Sequence, residues 1–523
     1  MNRLAALFAA VALLVALTAA PAAGVSTSKA YLIGSKAPLS ASQIQRLKDA
    51  GANVKYAYKN FGGAAALIPD SKVAAVRALP FVKSMGIDRP KRLDTVRIDG
   101  APARGTAANA ALPGGNYWLD LIDAEKNTTY TGDGVWVAVL DEGMYPNWHD
   151  YFDESQVLAS MGRAFKGSSE VGTKNWDSGG PHGMAVAATI VGYKLQDETD
   201  EGGWPQEPQY ATGAAGEYFV PGIAPDAQII PVNVCGPTGC FGSAINAGVD
   251  YVTSIKKAHP DQPIVINESL GGAGLDPVEK TAVDAAIEAG VVMVASAGNS
   301  GDAGMGYPAA YEPVISAGAG GWIDQWNDYP DKTWWLDDVP ENGADEAFVV
   351  DFSARVVGNA QYLDVLAPGR TMLLPYPCVN LYKDGLVVQR TNVKSCQSKP
   401  GEVNPNSAKF QYLFISGTSF SSPATAGIVA LMLEKDPNLS NKDADTTVAI
   451  NNPTAWDEGA VEEILEGAAT QIDPAEVLTT FRTGVDDYEC WELGPTTHSP
   501  ACTTQEATGS GWLLVDDVLA ATP

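Results

Sequence analysis

The sequence predicts an α/β fold: a mainly parallel sheet with helices on both faces, preceded by a small α+β unit of βαββαβ order. Three observations lead there. Gly134-Val-Trp-Val-Ala-Val-Leu140 is an unbroken, β-branched apolar run, the pattern of a strand covered on both faces, and Ile264-Val-Ile-Asn267 reads as another strand. Ala424 to Leu433 is apolar on every side of a helix and must lie inside a core, and a second apolar helical stretch runs from His182 to Val191. The residues after position 105, about four hundred of them, suffice for one large core with insertions.

In chain order, the first segment reads as an address. Met1-Asn-Arg3 precedes an apolar run from Leu4 to Leu17 and small residues through Ala19-Ala-Pro-Ala-Ala23, so residues 1–23 are expected to be a signal peptide and the chain to be secreted and extracellular. The run is short for a membrane span, no later stretch is longer, and Ala520-Ala-Thr-Pro523 suggests no anchor. Residues 24–105 follow as the small unit. Lys29 to Ser35 alternates like a strand, and Ser40-Ala-Ser-Gln43 is a capping box opening a helix with Ile44 and Leu47 that Gly51 closes. Asn53 to Tyr58 and Ala64 to Ile68 flank a turn at Gly62-Gly63. A second helix with Val73, Val76 and Leu79 ends at Pro80, and Val82 to Ile87 supplies the last strand. This unit holds fourteen Lys and Arg against five Asp, whereas the whole chain has 34 basic and 62 acidic residues. The rest is therefore strongly acidic, and opposite charge would steer the two parts together. A nucleic-acid role for the basic unit is disfavoured by its hydrophobic periodicity and its acidic covalent neighbour.

Candidate chemistry sits at element ends. Phe414-Ile-Ser-Gly-Thr-Ser419-Phe-Ser-Ser-Pro423 runs into the buried helix, which places Ser419 just before it with Pro423 in its first turn. Backbone N–H groups and the positive dipole end would converge on Ser419 and favour an oxyanion. The run 134–140 ends at Asp141-Glu-Gly143, and His182, one of only four histidines, opens the other apolar helix after Gly179-Gly-Pro181. Carboxylate, imidazole and hydroxyl at element ends are the parts of a nucleophilic triad, although each alone is more often a turn or cap residue.

The order Asp141, His182, Ser419 resembles that of the subtilisin-like serine proteases, the subtilases, and the likeness covers most of the chain from about Tyr117. It implies that Ser419 attacks the scissile carbonyl, that His182 moves the proton and that Asp141 holds the imidazole. Gly222-Ile-Ala-Pro-Asp-Ala-Gln-Ile-Ile-Pro-Val232 resembles the strand after the histidine helix, and Val291 to Asn299 the strand delivering the oxyanion asparagine, which makes Asn299 a donor. Ser269-Leu270-Gly271-Gly272 resembles the wall of the S1 pocket, where peptide adds as an extended strand, and Gly306 resembles its floor. With no fixed charge there, the expectation is a roomy apolar S1 preferring Phe, Tyr, Leu or Met. The βαββαβ unit is similar to the inhibitor-type propeptide of subtilases, an intramolecular inhibitor and folding chaperone. The resemblance thus implies a zymogen with residues 106–523 as its peptidase domain, acting on peptides or proteins through an acyl-enzyme.

Several features depart from the family. Glu142 stands where Ser or Thr is usual, Met184 where His-Gly-Thr is usual, and Glu268 where the family is generally apolar. Strand alternation would turn Glu142 away from the imidazole, so Glu142→Thr should keep activity. No cofactor is required for the chemistry and structural calcium stays open, with no metal residue assigned; Asp150 and Asp153 follow His149 without diagnostic spacing. The six cysteines group as Cys235/Cys240, Cys378/Cys396 and Cys490/Cys502, which suggests three local disulfides, the first placed by resemblance beside the S4 subsite. Tyr193 to Pro221, Trp322 to Gly358 and Thr371 to Lys409 are long insertions. The alternative reading is a catalytically silent subtilase that binds peptides or acts as a scaffold. An acid-acting sedolisin is disfavoured because His182 is a histidine.

Overall fold

Local signals build the amino-terminal unit. In the computed structural model, β1 (Ser28–Gly34) leads to α1 (Ala41–Asp49), whose capping box forms as Gln43 N–H donates to Ser40 Oγ while Ser40 N–H donates to Gln43 Oε1. The chain continues through β2 (Asn53–Ala57), β3 (Gly63–Pro69), the short α2 (Val73–Arg77) and β4 (Ser84–Ile87). These strands form an antiparallel sheet in the order β2-β3-β1-β4. Alternation splits β1 between two cores: Tyr31 and Ile33 pack with Leu47 and Val76 under the unit's own helices, whereas Leu32, with Tyr58, Phe61 and Ala65, joins the core of the larger body.

The structure describes residues 27–93, 97–100, 117–170, 174–196, 217–236, 238–322, 347–358, 361–376, 381–383, 386–389, 412–441, 460–470 and 505–523. The expected signal peptide, the pairs Cys378/Cys396 and Cys490/Cys502 and the centres of the three insertions lie outside the described residues. Beyond the small unit come β5 (Pro90–Leu93), β6 (Arg97–Gly100) and α3 (Tyr117–Asp120).

The larger body is a parallel sheet. Its strands are β7 (Trp136–Asp141), β8 (Arg163–Ala164), β11 (Gln228–Asn233), β13 (Ile264–Glu268), β15 (Val291–Ser296) and β16 (Ile315–Trp322); the pair β9 (Tyr193–Gln196) and β10 (Glu217–Val220) stands apart. The order is β8-β11-β7-β13-β15-β16, every neighbour parallel, and β17 (Ala347–Val349, antiparallel) and β18 (Val365–Pro368, parallel) also pair with β16. Along β7, Val137 and Val139 face the core built with α4 (Pro181–Val191) and α7 (Thr418–Lys435). Ala138 and Leu140 face the core built with α5 (Gly242–Ala258) and α6 (Pro277–Glu288). Helices therefore cover both faces, as expected for strands apolar throughout.

One expectation is corrected. The helix starts at Thr418, so Ser419 lies in its first turn and Pro423 lies inside it. Proline there cannot donate to the carbonyl four residues back, which is that of Ser419.

Candidate active site

β7 stops at Asp141 and α4 begins one residue before His182, so sheet and helix carry the two side chains to the same spot. His182 Nδ1 lies 3.0 Å from Asp141 Oδ1 and 2.9 Å from Oδ2. Both residues are buried. The approach depends on Gly183, because a Cβ there would sit 2.2 Å from the Gly143 carbonyl oxygen. α7 packs on α4, and the ring of Phe420 lies 6.0 Å from that of His182. Ser419 is buried beside Phe420, and its Oγ makes no hydrogen bond among the described residues. Hydrogen bonds to a nucleophile often close only when substrate is present.

Asn299 follows β15 and reaches the same turn. Its Oδ1 accepts from Thr418 N–H (2.9 Å) and from Thr418 Oγ1 (2.8 Å), while Thr418 Oγ1 accepts from Gly298 N–H (3.2 Å). Two donors on the amide oxygen turn Nδ2 the other way, to within 3.2 Å of where a Cβ on Gly417 would be. Thr418 thus aims the amide, a role the sequence reading did not assign although Thr418 stands next to Ser419.

Ser269 does more than line a wall. Its buried Oγ donates to the Ser419 carbonyl oxygen (2.8 Å), the acceptor that Pro423 leaves without its helical donor. Asn267 Nδ2 donates to Ser269 Oγ (3.0 Å), and Asn267 Oδ1 accepts from Ser422 Oγ (2.6 Å). The carboxyl end of β13 is therefore stitched to the first turns of α7. Asn267 and Ser422 also escaped the sequence reading; polar residues inside otherwise apolar elements were the available signal.

Glu142 departs from strand alternation because the strand has already ended. Its Oε1 accepts the His182 backbone N–H (2.8 Å), capping α4. Burial, then the neighbouring Asp141, pushes its carboxyl up to about 7, opposed by His182 and Lys174. Met184 is wholly buried in the core between α4 and the sheet.

The cleft is occupied. β5 lies between β12 (Cys240–Phe241) and β14 (Leu270–Gly271) and pairs antiparallel with both, Leu93 opposite Leu270, Arg92 opposite Gly271 and Lys91 opposite Cys240. Cys235 and Cys240 are joined by a disulfide, so a closed loop edges this strand. Gly306 packs on Gly271: a Cβ on Gly306 would sit 3.4 Å from the Gly271 Cα, and the next residues, Gly272 and Tyr307, form a bridge. No side chain separates the two glycines. Among the described residues, no three His, Cys, Asp or Glu gather for a metal, and Asp153 pairs with Lys194 at 2.7 Å. Among them, too, no helix is long and apolar enough to cross a membrane.

Comparison with known proteins agrees with this architecture. Serine protease AprX of Bacillus subtilis (strain 168) is 30% identical over 325 residues, 60% of this chain and 60% of that protein. Subtilisin NAT of Bacillus subtilis subsp. natto is 28% identical over 428 residues, 80% of this chain and 83% of that one. Fervidolysin of Fervidobacterium pennivorans is matched over only 39% of its length. Its crystal structure superimposes with a TM-score of 0.56 at 21% identity, covering 95% of this chain and 62% of that one, a likeness of fold. With the Subtilase family model matching residues 132–484, well over half its length, the chain belongs to the subtilase family.

Proposed function

We propose that the chain is a secreted serine endopeptidase made as a zymogen. The observation that carries this reading is the buried Asp141–His182 contact beside a helix whose first turn bears Ser419, with Asn299 held on the same turn. Ser419 Oγ adds to the scissile carbonyl carbon as its proton passes to His182 Nε2, and Asp141 steadies the resulting imidazolium. The oxyanion receives Asn299 Nδ2 and the Ser419 backbone N–H, one of the first-turn donors a helix leaves over. The C–N bond then breaks as His182 returns the proton to the amine, and water repeats the sequence to release the acid. No cofactor enters these steps, and no metal residue is assigned.

The unit 24–105 acts as leader and inhibitor, and 106–523 as the enzyme. Support comes from β5 filling the cleft and from a buried seam in which Asp88 accepts from Ser243 N–H and Oγ at the start of α5 (3.0 and 2.5 Å). Asp250 completes the seam by accepting from the backbone N–H of Lys59 and of Asn60. An apolar P1 residue is favoured because Gly271 and Gly306 bring no charge to the pocket; peptides with Phe, Tyr, Leu or Met there should outrun Arg or Lys.

Incubating the purified precursor with a fluorophosphonate probe tests the reading. Labelling and self-shortening are expected, and both should vanish in Ser419→Ala. An intact, unlabelled wild-type chain would point to a silent relative that only binds peptide.

A further inference from the structure

The leader strand carries a buried cation into the cleft. Lys91, 7% exposed, reaches Glu279 of α6 with its ammonium and donates to the Tyr307 carbonyl oxygen (2.6 Å). Glu268, at the end of β13 and 1% exposed, lies in the same cluster, and neither of its carboxyl oxygens has a hydrogen-bond partner among the described residues. Burial and then Glu279 push Glu268 up to about 8, with Lys91 opposing. A Cβ on Gly272 would lie 2.9 Å from Lys91 Cγ; the bare glycine gives the aliphatic stem its passage.

We propose that Glu279, Glu268 and the Tyr307 carbonyl form a lysine-selecting subsite of the enzyme, which Lys91 of the leader occupies until the leader is released. The assignment rests on the proposed function above. Once Lys91 leaves, Glu279 loses its only ion-pair partner among the described residues, and an uncompensated buried charge strongly favours another cation of the same reach. Two acceptors converge on a single nitrogen, which suits the compact ammonium of lysine better than the planar guanidinium of arginine.

Register fixes the position. A substrate following β5 places one residue opposite Leu270, the one before it opposite Gly271 and the one before that opposite Cys240. Its next residue forward falls opposite Ser269, which holds the Ser419 carbonyl. The selected lysine is therefore the third residue back from the one opposite Ser269, the fourth position when that residue is counted as the first, on the acyl side of the scissile bond.

The test inserts a site for an unrelated sequence-specific protease within residues 106–116 of the full chain; after the cut, the leader is stripped from the body by chromatography at high salt in mild denaturant and the body is returned to buffer, so that the leader is removed without the chain's own chemistry. Peptides differing only at the fourth position (Lys, Arg, norleucine or Glu) are then measured for binding to the Ser419→Ala form and for cleavage by the Ser419 form. Lysine should bind at least tenfold tighter than norleucine, with a matching gain in kcat/KM carried by KM. Glu279→Leu should abolish or invert that ratio while still handling the norleucine peptide; Glu268→Gln should leave it nearly unchanged near neutral pH and reduce it above about pH 8; and Gly272→Ala should weaken lysine and norleucine peptides together, because both carry the stem that passes the bare glycine. Equal binding of lysine and norleucine overturns the subsite whatever the cleavage result. Tighter lysine binding without cleavage of any peptide upholds the subsite and counts instead against the hydrolytic reading.

Discussion

The bond from Ser269 to the Ser419 carbonyl exists because Pro423 cannot make it, and a double-mutant cycle tests that dependence. In Ser269→Ala the 2.8 Å bond disappears, the Ser419 carbonyl oxygen is orphaned, and Asn267 Nδ2 loses its acceptor. A net bond contributes about 1 kcal/mol and an orphaned buried group costs about 1–3 kcal/mol, so a loss of about 2–4 kcal/mol is expected. Pro423→Ala restores an amide that can donate to that carbonyl within the helix. It should therefore be more favourable in the Ser269→Ala background than in the parent by about 1–2 kcal/mol. Denaturant unfolding of the precursor carrying Ser419→Ala measures this, since that change stops self-cleavage and leaves the carbonyl in place. In the Ser419 form, kcat should drop about tenfold in Ser269→Ala and partly recover in the double variant, because slight misplacement of a nucleophile is costly. Effects of the two substitutions that add to within about 0.4 kcal/mol would refute the reasoning.

Three other outcomes follow from the site. Glu142 is raised to about 7, so the fold favours its protonated form; the stability it contributes is complete below the ordinary carboxyl range and fades as pH climbs through 7. Above that pH its charge, held against the His182 backbone N–H, favours the neighbouring imidazolium; for an assumed separation of about 6 Å such a charge is worth about 0.7–3 kcal/mol, so Glu142→Gln should lose about three- to hundredfold in kcat at pH 9 and little at pH 5.5. Superimposable pH profiles would remove Glu142 from the mechanism, and Glu142→Thr should likewise remain active. Asn299→Ala should cost about a hundred- to thousandfold in kcat with little change in KM, and Thr418→Val a smaller part of that through lost aim; unchanged kcat in Asn299→Ala would exclude the donor role. The leader added in trans should inhibit the mature enzyme with an association rate that falls as salt rises and a dissociation rate that barely moves, because its seam is charge-to-backbone bonding rather than exposed ion pairs; stopped-flow mixing across ionic strength separates the two.

What the sequence disclosed was set by how local the cause is. The amino-terminal unit was legible because a capping box and a glycine-closed helix act within a few residues, and both formed as read; the turn expected at Gly62-Gly63 falls earlier, because Gly63 already opens β3. The parallel sheet was legible because strands covered on both faces have no polar side to hide. The start of α7 was misplaced since a proline inside a helix is tolerated only if something else takes the stranded carbonyl, and here that partner lies 150 residues away at Ser269. Glu142 escaped for the opposite reason: alternation applies only while the strand lasts, and it ends one residue earlier. That the amino-terminal unit would block a cleft was implied by resemblance, but the segment that fills it could not be read from the sequence. Pro90-Lys-Arg-Leu93 shows no alternation, and its two partner strands are far off in the chain.

On the zymogen reading proposed above, that occupied cleft ties recognition to inhibition through one geometry. β12 and β14 are only two residues long and do not pair with each other, so whatever lies between them supplies the hydrogen bonds that make a sheet of them. Main-chain pairing of this kind accepts almost any extended segment. A leader and a substrate are then distinguished not by how they bind but by what holds them afterwards. The proposed leader is anchored beyond the cleft by Leu32, Tyr58, Phe61 and Ala65 in the body's core and by the contacts of Asp88 and Asp250. Cutting the chain after β5 leaves that anchor intact, so cleavage alone should yield a nicked, still inhibited complex, and activity should appear only when the leader dissociates or is itself degraded.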